Sequence, residues 1–392
     1  MRYFYTEKLA NVTSDRAQLG KLKTLIRDSV LDDEIKKTFS LEEFGVDSEE
    51  IQVNGSSDLL LAFNKVDNEK MDLPEKLEDI EFCGFDDENN NIILKFKGIN
   101  NLESAGIYNF TYDFLDDLFS LGRFYSFSEE KQTLDVLSNT LDTLLTRFPD
   151  LKRQYRFLNI ENEWRLRGIT STSYKNYDNH LVIYLTLLGL HDYAKKTGNC
   201  FNLSGGQISD SDVSIFFEDP TPVHIKGIGD VYFGIFVSNG EIRQKRFTFE
   251  VMYRIDNGEV SFSAMPELEE PLIKINHTLR VDSVKKKINN IFELDKHKED
   301  MLTYIKDLRD IEKLSSDAIH LLFNKIIKSK QKFSEDTKKK AKKLREDKVI
   351  IKNTLTLIEL LNRVSELTTD VNERVHLQRI YDNVIRTITK AD

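Results

Sequence analysis

Apolar and polar positions follow distinct regimes along the chain. In residues 1–50, Leu19, Leu22, Leu25 and Ile26 fall on one helical face, which predicts a mostly helical start. Residues 51–100 turn to short apolar or alternating runs at 59–63 and 92–96. With the polar run 86–91 as a turn, these read as strands. From 112 to 157, Leu134, Leu137, Leu141, Leu144 and Leu145 restore a helical period. A strand over 164–169, a helix over 179–193 and a strand over 213–217 follow. Residues 231–237 and 242–253 then predict a β-hairpin around Ser238-Asn239-Gly240, because Asn-Gly accepts the positive φ of tight turns. Asp256-Asn257-Gly258 turns the chain once more, into a strand at 260–262.

Beyond Pro271 the pattern changes. The last Gly is Gly258, so residues 272–392 contain neither of the two main helix interrupters. Met301, Ile305, Leu308, Ile311, Ile319, Leu322 and Ile326 form one stripe, and Leu357, Leu361, Val364, Val371, Val375 and Ile385 form another. Between them, 332–348 is lysine-rich and nearly without apolar residues. The expected class is therefore α+β: a mixed α/β body with an antiparallel sheet, then a long C-terminal α-helical hairpin or coiled-coil arm folding back near 333–348. Three regions are expected: an N-terminal α+β region at 1–158, a β-rich α+β domain at 159–271 and the arm at 272–392.

Charge sharpens this division. The net charge of −10 conceals 27 Lys/Arg against 19 Asp/Glu in residues 272–392, or +8, which leaves 29 against 47, or −18, in residues 1–271. An acidic body repels polyanions and a basic arm attracts them. The first residues meet charge too early for a signal segment, and no run approaches the ~20 apolar residues of a membrane span. Two cysteines, Cys83 and Cys200, are too few for a disulfide framework or a zinc site. A reducing, cytoplasmic setting is expected, in a bacterial or phage-infected cell, with no membrane association.

Chemical motifs are sparse. Gly227-Ile228-Gly229 with Gly234 lacks dinucleotide-fingerprint spacing and precedes a strand, so these read as turn glycines. The seven histidines form no His-x-x-x-His pair, and no metal or other cofactor is implied. Asp230, Glu241 and Arg243 loosely match a metal-nuclease Asp…Glu-x-Lys pattern, but arginine cannot give up a proton to act as its base. The 165–180 segment offers Tyr174 and Tyr177 for stacking on bases, with Arg165, Arg167 and Lys175 for phosphates, while Asp178 or Asn179 caps the next helix. Lys338, Lys339, Lys340, Lys342, Lys343 and Arg345 supply a second basic stretch, which also reads as an ordinary solvated helix face.

Two segments look familiar together. Residues 164–179 (WRLRGITSTSYKNYDN) combine an arginine-led strand, Ser-x-x-Tyr and an Asp-Asn helix entry, and residues 234–242 (GIFVSNGEI) follow about sixty residues later. Over roughly 160–262 the chain resembles the phage- and plasmid-borne domain-of-unknown-function family 932. In place of that family's Cys-x-Asn-Gly element stands Asp256-Asn257-Gly258. The resemblance implies a mobile-element origin and carries over no catalytic residues.

The sequence therefore favours a non-enzymatic protein that binds DNA or RNA through the 165–180 loop and the basic arm, as an accessory to DNA metabolism or recombination. The alternative is a protein-interaction or anti-defence factor, oligomerising or docking a protein partner through residues 283–390. A metal-dependent nuclease ranks third.

Overall fold

The computed structural model describes residues 3–10, 12–242, 245–268, 270–310, 316–346 and 353–389. From the N-terminus, β1 (Thr6–Leu9) leads through a 3-10 turn to α1 (Val30–Thr38), β2 (Val53–Asn54) and α2 (Ser56–Val66). Four strands, β3 (Lys70–Lys76), β4 (Ile80–Phe85), β5 (Ile92–Phe96) and β6 (Leu102–Ala105), precede α3 (Phe110–Phe119), α4 (Gly122–Lys131) and α5 (Leu134–Arg147). The hairpin of β7 (Lys152–Ile160) and β8 (Glu163–Thr170) enters α6 (Asn179–Thr197). Then come β9 (Phe201–Ser209), β10 (Asp212–Glu218), β11 (Val223–Ile225), β12 (Gly229–Gly240), β13 (Phe247–Asp256), β14 (Ser261–Ala264) and β15 (Ile273–Ile275). Six helices close the chain: α7 (Val281–Ile288), α8 (Leu294–Asp307), α9 (Ser316–Ile327), α10 (Glu335–Glu346), α11 (Thr354–Ser365) and α12 (Val371–Thr389).

The principal sheet runs β1-β9-β10-β12-β13-β14, with β2, β11 and β15 flanking β9, β12 and β13; all its pairings are antiparallel except β2 with β9. Two smaller antiparallel sheets, β3-β7-β8 and β4-β5-β6, sit in residues 70–170. Apolar burial follows this division. One core draws on residues 9–66 and 177–385, a second on 77–169. The 70–170 module is thus inserted into the body, and position 158/159 falls within β7. Helix α6 is apolar nearly all round and lies in the centre of the first core, as such a helix must to remove its whole surface from water.

The α+β class with antiparallel sheets holds. The long arm does not. The C-terminal region forms separate helices of 8 to 19 residues, and both stripes send residues into the same core as the principal sheet, Met301, Ile305 and Leu322 from one and Leu357, Leu361 and Ile385 from the other. Val375 joins a small separate cluster with Phe216, Phe236, Met252 and Met265, and Ile311 lies outside the described residues. Tyr253 on β13 and Tyr304 on α8 both donate to Asp382 on α12, at 3.1 and 2.7 Å. Lack of Gly and Pro permits long helices without enforcing them; an Asn353/Thr356 capping box begins α11. The lysine-rich stretch is itself a helix, α10, and the chain reverses before it, at 328–334.

Two further readings shift. Residues 59–63 belong to α2 rather than to a strand. The hairpin of β12 and β13 exists, yet Asn239 is a strand residue rather than a turn residue, paired opposite Val213 of β10, and β12 continues past it to Gly240. No helix among the described residues is long and apolar enough to cross a membrane.

Candidate functional site

The most unusual feature of the molecule is a cluster of buried charges where the 70–170 module meets the body. It begins with a register fault. On β7, Tyr155 and Phe157 face the module core, so Arg156 faces the opposite way, towards the body. On β8 the core-facing residues are Leu166 and Ile169, three apart. Phe157 pairs with Leu166 and Arg156 with Gly168, leaving Arg167 as the extra residue of a β-bulge. Such a bulge re-aims one side chain. Here it sends a second arginine to the same side as the first.

Both guanidiniums are shielded from solvent. Arg156 donates to Asp72 Oδ1 on β3 (2.8 Å), to Asp178 Oδ2 (2.6 Å) and to the Glu241 carbonyl (2.6 Å). Arg167 donates to Glu241 Oε2 and to the Ser211 hydroxyl. Glu241 Oε1 accepts from Lys70 Nζ and from the Asn179 backbone N–H, both at 2.9 Å. Its carboxylate therefore caps α6, where the first N–H groups need an acceptor and the helix dipole favours negative charge. Asp178, the expected cap, is the residue before α6 but turns its carboxylate to the arginines.

The electrostatics follow from this balance. Burial opposes ionisation of Glu241, but Lys70, Arg167 and Arg156 override it and hold the carboxyl well below the usual range. Burial likewise acts against Asp72, and Arg156 overrides it to lower that carboxyl. Asp210, fully buried beside this cluster, accepts from the Tyr108 hydroxyl but has less cationic help, and burial pushes it up to about 6. Arg167 Nε and Nη2, Asp178 Oδ1 and the Tyr174 hydroxyl have no hydrogen-bond partner among the described residues.

The two segments that carry the family resemblance meet here. Asn239 Nδ2 donates to Asn179 Oδ1 (3.0 Å) and to the Tyr177 carbonyl (3.2 Å), beside the Arg167–Glu241 pair. The 171–178 loop covers the cluster: Asn176 Nδ2 donates to Asp72, and the Tyr174 ring stacks on His277 with centroids 4.6 Å apart. Three cations, Lys70, Arg156 and Arg167, face three carboxylates, Asp72, Asp178 and Glu241. Glu241 is held by three donors and cannot serve as a base. The arrangement fixes the module against the body through directional contacts.

This geometry revises the loop's expected role. Arg167 and Tyr177 are internal; the Tyr177 hydroxyl donates to the Leu279 carbonyl at 2.8 Å. Lys175 is half-buried, 3.5 Å from Glu34, and Arg165 pairs with Glu163 on its own hairpin. Tyr174 is committed to His277. The structure thus gathers Arg167, Tyr174 and Tyr177 for internal packing, not for display. The metal-nuclease arrangement is not formed either: Asp230 and Glu241 stand at opposite ends of β12, ~36 Å apart by strand rise. Arg243 lies outside the described residues. Among the described residues, no group of His, Cys, Asp and Glu is placed to hold a metal.

A second, open feature lies at the α9–α10 hairpin. On α10, Lys339, Lys340, Lys342 and Lys343 are exposed and Arg345 is half-buried, whereas Lys338 packs its stem and pairs with Glu335, and Lys340 pairs with Asp336. The turn before α10 adds exposed Lys328, Lys330 and Lys332. Among the described residues, no carboxylate forms an ion pair with Lys328, Lys330, Lys332, Lys339, Lys342 or Lys343. Beside that turn opens a cleft of about 500 Å³, lined by Lys325, Lys330, Lys332 and Arg379 and by Glu267; Arg379 is already paired with Glu250 at 2.8 Å. His376 in its wall is lowered to about 4, first by burial and then by Lys332, Arg379 and Lys245.

Sequence reasoning missed Lys70, Asp72 and Arg156: the first two lie in a stretch with no motif, Arg156 lies between apolar residues of a segment that reads as helical but forms β7, and the bulge that directs Arg167 has no sequence signature. No protein family matches the chain, and no curated protein or solved structure matches it.

Proposed function

We propose that this protein binds nucleic acid through the α9–α10 hairpin and the cleft beside it. The observation that carries this reading is the set of solvent-facing lysines on one helical hairpin, six of which form no ion pair with a carboxylate among the described residues, next to a cleft lined by Lys325, Lys330 and Lys332. Lysines of this kind neutralise phosphates by releasing counterions and need no base-specific geometry. The acidic remainder of the chain confines contact to this face. The resemblance over residues 160–262 adds a mobile-element setting, in which an accessory role in DNA metabolism or recombination fits.

Fluorescence anisotropy with single- and double-stranded oligonucleotides, at ~50 and ~200 mM salt, tests the proposal. Binding that weakens steeply with salt is the expected result. Absence of binding at the lower salt for every oligonucleotide would overturn it.

A further inference from the structure

The 70–170 module carries a cleft of its own, separate from the basic hairpin. It measures about 640 Å³, within the usual range for small-molecule sites, and lies between the N-terminal segment, the turn before β5, and helices α3 and α4. Its wall has an uncommon composition. Asn89, Asn91 and Asn109 present carboxamides, while Phe4, Tyr108 and Tyr112 present rings. Among the described residues, no lysine or arginine lines it, and the one carboxylate in its lining is Glu129. A phosphate or carboxylate ligand would find no counter-charge there among the described residues.

Two details mark this wall. Asn109 directly precedes α3 in the capping position, yet its side chain makes no capping hydrogen bond, so its donor and acceptor stay available. Tyr108 adopts φ +58°, a region that bulky residues enter only when the surroundings force them and that recurs at ligand sites. What forces it is visible. Its hydroxyl donates to buried Asp210, and its ring meets those of Tyr3 and Phe4 at centroid distances of 5.7 and 5.9 Å. The neighbouring Phe4 and Tyr112 rings remain 51% and 36% exposed.

Aromatic faces beside carboxamide edges are the means by which proteins hold a flat heterocycle: the ring stacks, and each amide offers a paired donor and acceptor to the heterocycle's edge. We infer that this cleft binds an uncharged purine nucleoside, stacked on Phe4, Tyr108 or Tyr112 and read along its edge by Asn89, Asn91 and Asn109. The inference does not rest on the nucleic-acid reading, since none of the α9–α10 lysines reaches this cleft.

Isothermal titration of the full chain with adenosine and with guanosine tests it, with adenosine 5′-monophosphate and cellobiose as comparison ligands. Asn109→Ala and Tyr112→Ala, both at exposed positions, serve as independent variants, with thermal melts to confirm their fold. The expected result is saturable binding of at least one nucleoside, no gain from the phosphate, and a tenfold or greater weakening in each folded variant. No saturable binding of either nucleoside, binding indifferent to both variants, tighter binding of the monophosphate, or preference for cellobiose would each overturn the assignment.

Discussion

Arg167 and Glu241, 74 residues apart in sequence, form an ion pair in which neither side chain reaches solvent. Removing one partner of such a pair strands the other without water. Glu241→Ala leaves Lys70, Arg167 and the first N–H of α6 without their acceptor, and is expected to cost about 3–5 kcal/mol in urea denaturation. Replacing both members with apolar residues of similar volume, as in Arg167→Met with Glu241→Leu, should cost less than the single change. A double variant at least as unstable as Glu241→Ala would show that the pair is not the unit that matters.

The same junction sets an acid limit. Glu241 and Asp72 have folded pKa values below their unfolded ones, so their stabilisation is present above the unfolded value of about 4 and is lost as pH falls through the folded values. Asp210 runs the other way. Its folded value of about 6 lies above the unfolded one, so its cost is greatest at neutral pH and disappears as pH falls from about 6 towards 4. Asp210→Asn should therefore raise the melting temperature at pH 8 and lose that advantage by pH 4. Melting curves of the variant and the parent chain over this range give the comparison.

His376 titrates in the overlapping window with opposite sign. Its folded value of about 4 lies below the unfolded one, so stability falls as pH drops from about 6.5 towards 4. Burial is the first cause of that depression, and a phosphate backbone laid in the cleft would offset the cations that add to it. Nucleic-acid binding should then take up protons, and the His376 ring resonance should titrate at higher pH in the complex. An NMR titration with and without oligonucleotide measures this directly.

Charge reversal tests the hairpin. Lys339→Glu, Lys342→Glu and Lys343→Glu together change only exposed positions, so the melting temperature should hardly move. Duplex DNA affinity should fall, and the logarithmic salt slope should shrink by about 2 to 3 units if all three lysines meet phosphates. An unchanged slope would place the contact elsewhere.

The C-terminal helices belong to the main core, and this too is measurable. A chain ending at residue 271 loses β15 and the helices that cover Phe262 and Tyr253, exposing a large apolar face. It should aggregate or elute as an expanded species in size-exclusion chromatography, where a free-standing body would elute as a compact monomer.

Much of the local structure was legible in the residues. The helix at 179 is legible from Asp178-Asn179 and from Leu181, Tyr184, Leu185, Leu188 and Leu190, and the strand at 213 from Val213, Ile215 and Phe217 with Phe216 between them. Residues 59–63 misled because five apolar residues show no period that separates a strand from a buried helix. The arm misled for a different reason: a stripe states that a helix face is buried, not what buries it. The junction was the least legible part. Glu241 reads in sequence as one member of a metal-nuclease pattern yet is held by Lys70, Arg167 and the Asn179 N–H. Lys70 and Asp72 give no signal, because their partners are distant in sequence and the aim of Arg167 depends on a single extra residue in β8.

That bulge has an evolutionary consequence. Apolar cores can drift one residue at a time, since neighbouring side chains shift to fill small changes in volume. The junction allows no such latitude: Glu241 answers at once to a lysine on β3, an arginine on β8 and the leading N–H of α6. Change at any of these positions demands compensation at the others, and deleting one residue near Arg167 would swing it into the opposite core. The junction is therefore inherited as a block, and Lys70, Arg156, Arg167, Asp178 and Glu241 should vary together or not at all among descendants of this chain.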